Sequence, residues 1–502
     1  MVVWESRRVT PPVVAGGIWA SWWLLLRVTG QGYSLRPVYA GYQFVPADDL
    51  FDAPVSAVWS LHIQPPVWNL VVGAAGGWSP FGDALTLQLV TLALGIGLAA
   101  SLCALLGALG APPGWAVGLT ALATLNAQVM LHAFEPRYDF AVATLTCLLV
   151  WTTTRPAGSR WAVAAPIVVS TTLAATRTLY HPVWLVGVVV LVLIAHRRVL
   201  RPANVAVAIA VPLVVIGGWA VKNQVVVERP TVSTLTGMNL LRSVSPATDE
   251  TALEQMTTDG RISEIWRVGL ARWALDGPCL DADQSGTGAL DSPTRTLPRQ
   301  YRTGAFDDGV VPNYNARCFL VAYDQASSDA STIIREHPGA WVRGRLWAAN
   351  NWFGLPEVDP ADRSALWTPL ELGTRAALVG APHPPLPDSW GAPSLWVHRT
   401  PVSILLITLS GAVLVTGVRR GVAVGRDGAA HLPEIVAAWT VAWTLVAGIA
   451  FELGEQVRFR NAIDPLVIGL GGWLLIDAVR RRRSGRDANS RDAALSQRNA
   501  RP

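Results

Sequence analysis

The sequence predicts an all-α membrane protein, a bundle of about ten transmembrane helices carrying a large mixed exoplasmic loop domain. Three observations lead there. Charged residues make up 15% of the chain and hydrophobic residues 51%, with a mean hydropathy of +0.34; a soluble domain averages about 25% charge. The missing charge is concentrated in long apolar runs rather than thinned evenly. The cations, finally, crowd certain connectors and avoid others.

The apolar runs fall at 11–28, 84–110, 113–132, 140–154, 161–176, 182–195, 203–221, 401–418, 433–451 and 462–479. A helix needs roughly 20 residues to cross the hydrocarbon, so the longer runs qualify directly and the shorter ones need their flanks. The first follows Arg7 and Arg8 but ends on Arg27 with no small-residue cleavage site, which reads as a signal anchor. Counting spans alternately from a cytoplasmic N-terminus puts Arg155 and Arg160 inside. Arg197, Arg198 and Arg201 fall inside too, then Arg419, Arg420 and Arg426, then the run Arg480 to Arg483. That is the positive-inside pattern, and it makes both termini cytoplasmic. Trp22, Trp23, Trp184 and Trp219 stand near span ends, where indoles favour the interface.

This topology divides the chain into a seven-span module at 1–221 with a first outer loop at 29–83, an exoplasmic loop domain at 222–400, a three-span module at 401–482 and a disordered tail at 483–502. Val67 to Val72 is apolar but too short to span, and reads as an interfacial helix. Ile333 to Phe353 is greasy enough to rest on the membrane or the helical body. The net charge of +5 is almost wholly arginine, Lys222 being the sole lysine. No basic stripe lies on a soluble face, so nucleic acid is not a partner. Arginine- and alanine-rich usage with little lysine fits a bacterial plasma membrane. Cys103 and Cys147 lie in apolar runs; Cys279 and Cys318 share the outer segment, where an oxidising compartment permits a disulfide.

The polar residues with chemical potential collect on the outer side. Asp48 and Asp49 stand in the first loop, followed by His62 and Gln64-Pro65-Pro66; Glu135, Arg137 and Asp139 follow the third span. Arg177 and His181 lie in the next outer connector, Lys222 beyond span seven, and Arg458, Arg460 and Asp464 in the last outer connector. Ionisable groups at membrane depth are expensive and usually mark a site. Cations on the side that topology leaves poor in them call for a compensating anion, and arginine's planar fork suits a lipid-linked phosphate.

In this order the motifs resemble the GT-C superfamily of integral-membrane glycosyltransferases, in the branch of the protein O-mannosyltransferases and aminoarabinose transferases (family 39-like). Asp48-Asp49 matches the acidic pair of the first outer loop, with Asp where Glu is usual second. Gln64-Pro65-Pro66 matches a Lys/Gln-Pro-Pro element. Glu135, Arg137 and Asp139 look similar to a Glu-x-Arg-x-x-Asp element, and Arg460, Asp464 and Pro465 to an Arg-x-x-x-Asp-Pro element. The resemblance implies a GT-C-like bundle and sugar transfer from a polyprenyl-phosphate donor to a glycan, lipid or protein acceptor on the outer face. Asp48 or Asp49 would be the catalytic base on the acceptor hydroxyl. His62, Gln64, Glu135, Arg137, Asp139, Arg177, His181, Lys222, Arg458, Arg460 and Asp464 would line the substrate and the donor phosphate.

Plainer readings stand beside these. Asp48 and Asp49 also suit a helix cap before Leu50. Glu135, Arg137 and Asp139 read equally as an exposed ionic cluster of small energetic weight. His62 and His181, each beside proline, read as hydrogen-bonded structural histidines. No cofactor is called for: Asp48, Asp49 and Asp52 offer oxygens to a divalent cation, yet no Asp-x-Asp stands in the loop, and histidine spacing gives no zinc pattern. A transporter or flippase of a lipid-linked glycan is the alternative, though no internal repeat supports it; a non-catalytic scaffold is a third reading.

Overall fold

The computed structural model of the chain describes residues 10–39, 44–159, 161–280, 294–296, 310–354, 363–378, 380–381, 402–451 and 456–484. It is all-helical apart from two short antiparallel strand pairs, Thr294–Thr296 with Val310–Pro312 and Gly380–Ala381 with Val402–Ser403. A helix lies on every apolar run of the sequence. Four are long and apolar enough to cross a membrane: Asp83–Ala108, Pro202–Val227, Ile404–Val422 and Ala429–Phe451, or five if a bent pair counts as one. Tyr138–Thr152, Trp161–Ala174 and Pro182–His196 have 15, 14 and 15 residues. At about 1.5 Å per residue each reaches only some two-thirds of the hydrocarbon thickness.

The run 113–132, expected as one span, is broken. Pro113–Thr124 ends, Asn126 caps the next helix by accepting from Val129 N–H at 3.1 Å, and Ala127–Phe134 leaves at 63°. Every residue of that second piece is buried, Gln128 and His132 included. Pro202–Val227 carries Pro212 inside and relaxes into a π turn at Leu213–Gly217, because proline removes one helix donor and its ring clashes with the preceding turn. Only 6% of this helix's apolar window is covered by protein, leaving side chains such as Leu213, Val214 and Val225 facing out. A second π turn, Val467–Gly471, interrupts the last helix, 464–484. Arg483 and Ser484 continue that helix; the rest of the expected tail lies outside the described residues.

Two large cores form among the described residues, beside a small third one of Ala247, Trp347 and Ala348. In the first, Pro11–Val28 lies along Asp83–Ala108 with Trp19 fully buried over Gly95, where a Cβ would stand 2.0 Å from the indole. Trp19 also stacks on Phe140 at 6.0 Å and Trp23 on Phe134 at 5.5 Å. Trp23 and Trp184 are therefore core residues and not the interfacial anchors their positions suggested. The second core joins the first outer loop to the segment after 227. Leu50, Leu61, Ile63, Trp68 and Val72 pack with Leu241, Phe319, Tyr323 and Ile333. Val67–Gly77, expected as an interfacial helix, buries Trp68, Asn69 and Val72 in this core. Cys279 and Cys318 are bonded to each other, their Cα atoms 5.1 Å apart.

The helix Pro338–Trp352 rests on Leu432–Phe451. Trp352 lies on Gly448, where an added Cβ would meet its ring at 2.3 Å. Arg345 donates to the carbonyls of Ile449 and Ser243. The apolar stretch Ile333 to Phe353 thus leans on the helical body.

Candidate functional site

Three helix ends and two connectors meet at one end of the bundle. Tyr138–Thr152 begins there, Trp161–Ala174 stops there, and Gln456–Arg460 follows the end of Leu432–Phe451. At their meeting point Asp139, fully buried, is shared between two guanidinium groups. Arg177 pairs with its Oδ1 and Arg458 Nε reaches its Oδ2 at 3.0 Å. Arg458 also donates to the Tyr138 hydroxyl. The Arg177 guanidinium is sandwiched by rings, 4.9 Å from the Tyr138 centroid and 4.2 Å from that of Phe459. Arg177 is only 5% exposed, and its Nη2 is buried with no hydrogen-bond partner among the described residues. Arg137 pairs with Glu135 at 2.6 Å, both largely covered. These contacts replace the exposed, weakly coupled cluster that the spacing also allowed.

The other expected members are held in contacts of their own. Arg460, 2% exposed, turns inward: Nη1 donates to the carbonyls of Trp352 and Gly354 at 2.5 and 2.8 Å, and Nε to Asp464 at 3.0 Å. It caps the C-terminus of Pro338–Trp352, where a cation complements the helix dipole. Asp464 accepts in addition from Gln128 at 3.2 Å. Lys222 is spent on the Leu61 carbonyl and lies 3.6 Å from the Trp219 ring centroid, so it fastens the first loop and does not stand open to a phosphate. His62 is tied through both ring nitrogens, as its structural reading expects. Its Nδ1 meets Thr234 Oγ1 at 2.9 Å, its Nε2 the Asn315 carbonyl at 3.1 Å, and its backbone N–H donates to Asn315 Oδ1 at 2.9 Å. Burial pushes its imidazole down to about 4, opposed by the Asn315 carbonyl and reinforced by the charges of Lys222, Arg229 and Arg317. His181 caps Pro182–His196, accepting from Val183 N–H at 3.3 Å, and stacks on Trp443. Gln64 is buried beside these ties.

Asp48 and Asp49 lie in the first turn of the short helix Ala47–Asp52, whose N-cap is Pro46. They complement the helix dipole and do not cap. Asp48 is exposed and Asp49 half-buried. Among the described residues no hydrogen bond or ion pair joins Asp48 to the Asp139 cluster. Among them, too, no group of three His, Cys, Asp or Glu could hold a metal ion.

Beside the Arg177 connector opens a groove lined chiefly by Pro65, Pro66, Ala175, Tyr180, Ile216 and Trp219. Val67 N–H donates to the Ala175 carbonyl at 3.0 Å, seating the Pro-Pro element against it. The residues that spacing failed to single out are His132, Asn461 and Gln128, all buried, with Asn461 Nδ2 against His132 Nε2. Their signal was present: two polar residues one turn apart in an otherwise apolar run.

An all-α chain with several apolar helices of spanning make is a multi-pass membrane protein, and this one holds a buried carboxylate–diguanidinium cluster at one end of its bundle. No protein-family model matches the chain, and no curated protein does. Among solved structures it is similar to ArnT from Cupriavidus metallidurans bound to undecaprenyl phosphate. The TM-score is 0.32 and the identity 12%, over 90% of this chain and 77% of that one. The apo state of the same protein gives 0.31 and 15%, over 89% and 77%.

Proposed function

We propose that the chain is a membrane glycosyltransferase, moving a sugar from a polyprenyl-phosphate-linked donor to an acceptor on the outer face of the membrane. One observation carries the reading: Arg177, buried and locked to Asp139, keeps one guanidinium nitrogen without an acceptor. An unmet buried donor costs about 1–3 kcal/mol, and a phosphate oxygen is the acceptor a guanidinium fork fits best. Asp139 holds Arg177 and Arg458 side by side despite their like charge. The apolar groove next to Arg177 runs toward Pro202–Val227, the helix left bare to lipid, and suits an isoprenoid chain.

The chemistry follows from these parts. Asp48, exposed and with no hydrogen-bond or ion-pair partner among the described residues, takes the proton of an acceptor hydroxyl. The hydroxyl oxygen bonds to the sugar C1, the bond from C1 to the phosphate oxygen breaks, and the lipid phosphate leaves with charge that Arg177 stabilises. This requires the first loop and the last connector to share the outer side, with both termini in the cytoplasm. Purified protein in nanodiscs, given radiolabelled polyprenyl-phosphate sugars, tests the reading. Wild type is expected to release lipid phosphate as label reaches the acceptor; Arg177→Met and Asp48→Asn are each expected to cut the rate at least a hundredfold. Full activity in both variants sinks the assignment.

The bent pair at Thr124–Ala127 and the two π turns favour a second reading, a transporter of a lipid-linked glycan, since broken helices mark transporter sites. Label that crosses the bilayer still attached to its lipid supports that reading instead.

A further inference from the structure

Behind the Asp139 cluster, five side chains form a linked set, here called the ring, through three side-chain contacts and two short steps along the chain. Gln128 and His132 stand one turn apart on Ala127–Phe134; His132 touches Asn461; Asn461 follows Arg460; Arg460 pairs with Asp464; Asp464 accepts from Gln128. All five are more than nine-tenths buried. Four of them nonetheless carry a buried polar atom with no hydrogen-bond partner: His132 Nδ1, Asn461 Oδ1, Arg460 Nη2 and Asp464 Oδ1. Native interiors leave few such atoms unmet, and four in one ring point to something polar that belongs there.

The kinds of atom say what it is. His132 Nε2 faces the Asn461 amide N–H and accepts from it, so the neutral ring carries its hydrogen on Nδ1 and offers a donor. The Arg460 nitrogen is a second donor; the Asn461 and Asp464 oxygens are two acceptors. An anion would be repelled by the Asp464 oxygen and a metal ion by Arg460. A hydroxyl donates once and accepts, and it satisfies both kinds of group. Several hydroxyls on one rigid frame satisfy all four atoms.

We infer that the ring of His132, Asn461, Arg460, Asp464 and Gln128 is a subsite for the hydroxyls of the sugar that the lipid donor carries. The inference rests on the glycosyltransferase reading and adds the place where the sugar is recognised. The ring adjoins the proposed phosphate site, since Asn461 is three residues from Arg458 and His132 lies within electrostatic reach of Asp139 and Arg177.

The test measures binding of two kinds of lipid to full-length protein in nanodiscs: bare undecaprenyl phosphate, and the same lipid loaded with mannose, glucose or arabinose. Wild type is expected to bind at least one loaded lipid tenfold or more tighter than the bare one. The double variant His132→Leu/Asn461→Leu removes both partners of one contact and fills the space with carbon, a change that leaves stability near that of the parent. It is expected to lose the loaded-over-bare preference while keeping its affinity for the bare lipid and its Tm. Should it lose both lipids, Asn461→Ser decides: a loss confined to the loaded lipid supports the subsite, and a parallel loss overturns it. Equal binding of bare and loaded lipids by wild type also overturns it, leaving a ring that holds only water. Wild type that binds neither lipid removes the glycosyltransferase reading itself.

Discussion

At the scale of single residues, Asp139 has the heaviest duty. One carboxylate is shared by two guanidiniums, Arg177 buried and Arg458 half-buried, and removing it leaves two like charges side by side, a loss of about 3–5 kcal/mol by the usual cost of breaking a buried pair. Asp139→Asn is therefore expected to lower the thermal midpoint sharply, with Arg177→Met falling less because Arg458 still holds the carboxylate; thermal scans of both variants in one lipid check the order. His62 gives a pH dependence with a definite sign. Its folded pKa of about 4 lies below the ordinary value of 6.5, so between the two the unfolded chain binds more protons. Stability is complete above pH 6.5 and declines as pH falls toward 4, by at most a few kcal/mol at roughly 1.4 per unit. In His62→Gln this part of the decline should vanish from melting curves taken across the window. The motif resemblance picked out Asp139, and the outer-side charge argument picked out Arg177 and Arg458, because charge on a cation-poor side is visible in a sequence. The ties that hold His62, Lys222 and Arg460 were not legible, because their partners are, wholly or in part, backbone carbonyls of distant segments, and a carbonyl has no letter in the sequence.

At the scale of elements, helix positions were legible and helix shapes were not. Apolar runs mark where a helix must hide its backbone from lipid, and a helix stands on each. The break at Leu125–Asn126 had a weak sign, an asparagine able to cap, inside a run whose hydropathy hid it. Close helix pairs depend on small residues in the same hidden way. Pro11–Val28 meets Asp83–Ala108 through Trp19 on Gly95. Gly95→Ala would drive a methyl into the fully buried indole, and overpacking of this kind costs about 1–3 kcal/mol. The variant is expected to fold with a lower Tm, and Gly95→Ala/Trp19→Leu to recover part of it, as scanning fluorimetry can show.

At the scale of the whole molecule, the first outer loop is held less by the bundle than by the segment that follows residue 227. They share one hydrophobic core, and His62, Lys222 and Asn315 bind the loop's exit. That partnership joins stretches some 250 residues apart in sequence, and no local pattern announces it. The Cys279–Cys318 bond ties the same core across 39 residues. A closed loop of that length is worth about 4 kcal/mol on the chain-entropy account. Cys279→Ser is expected to lower the stability of the outer part and to slow any transfer by loosening the helix that carries Asp48, while membrane insertion of the bundle is unaffected. Limited proteolysis in intact nanodiscs, with and without reductant, separates the two.

Asp139 and Arg177 are closed off from bulk water, and dissolved ions cannot slip between them. Screening over a Debye length of about 10 Å at 0.1 M acts on charges in solvent, so a guanidinium walled in by Tyr138 and Phe459 escapes most of it. A phosphorylated lipid seated at Arg177 should be held almost equally well in dilute buffer and in strong brine, whereas one merely attracted to an arginine-rich surface would wash away.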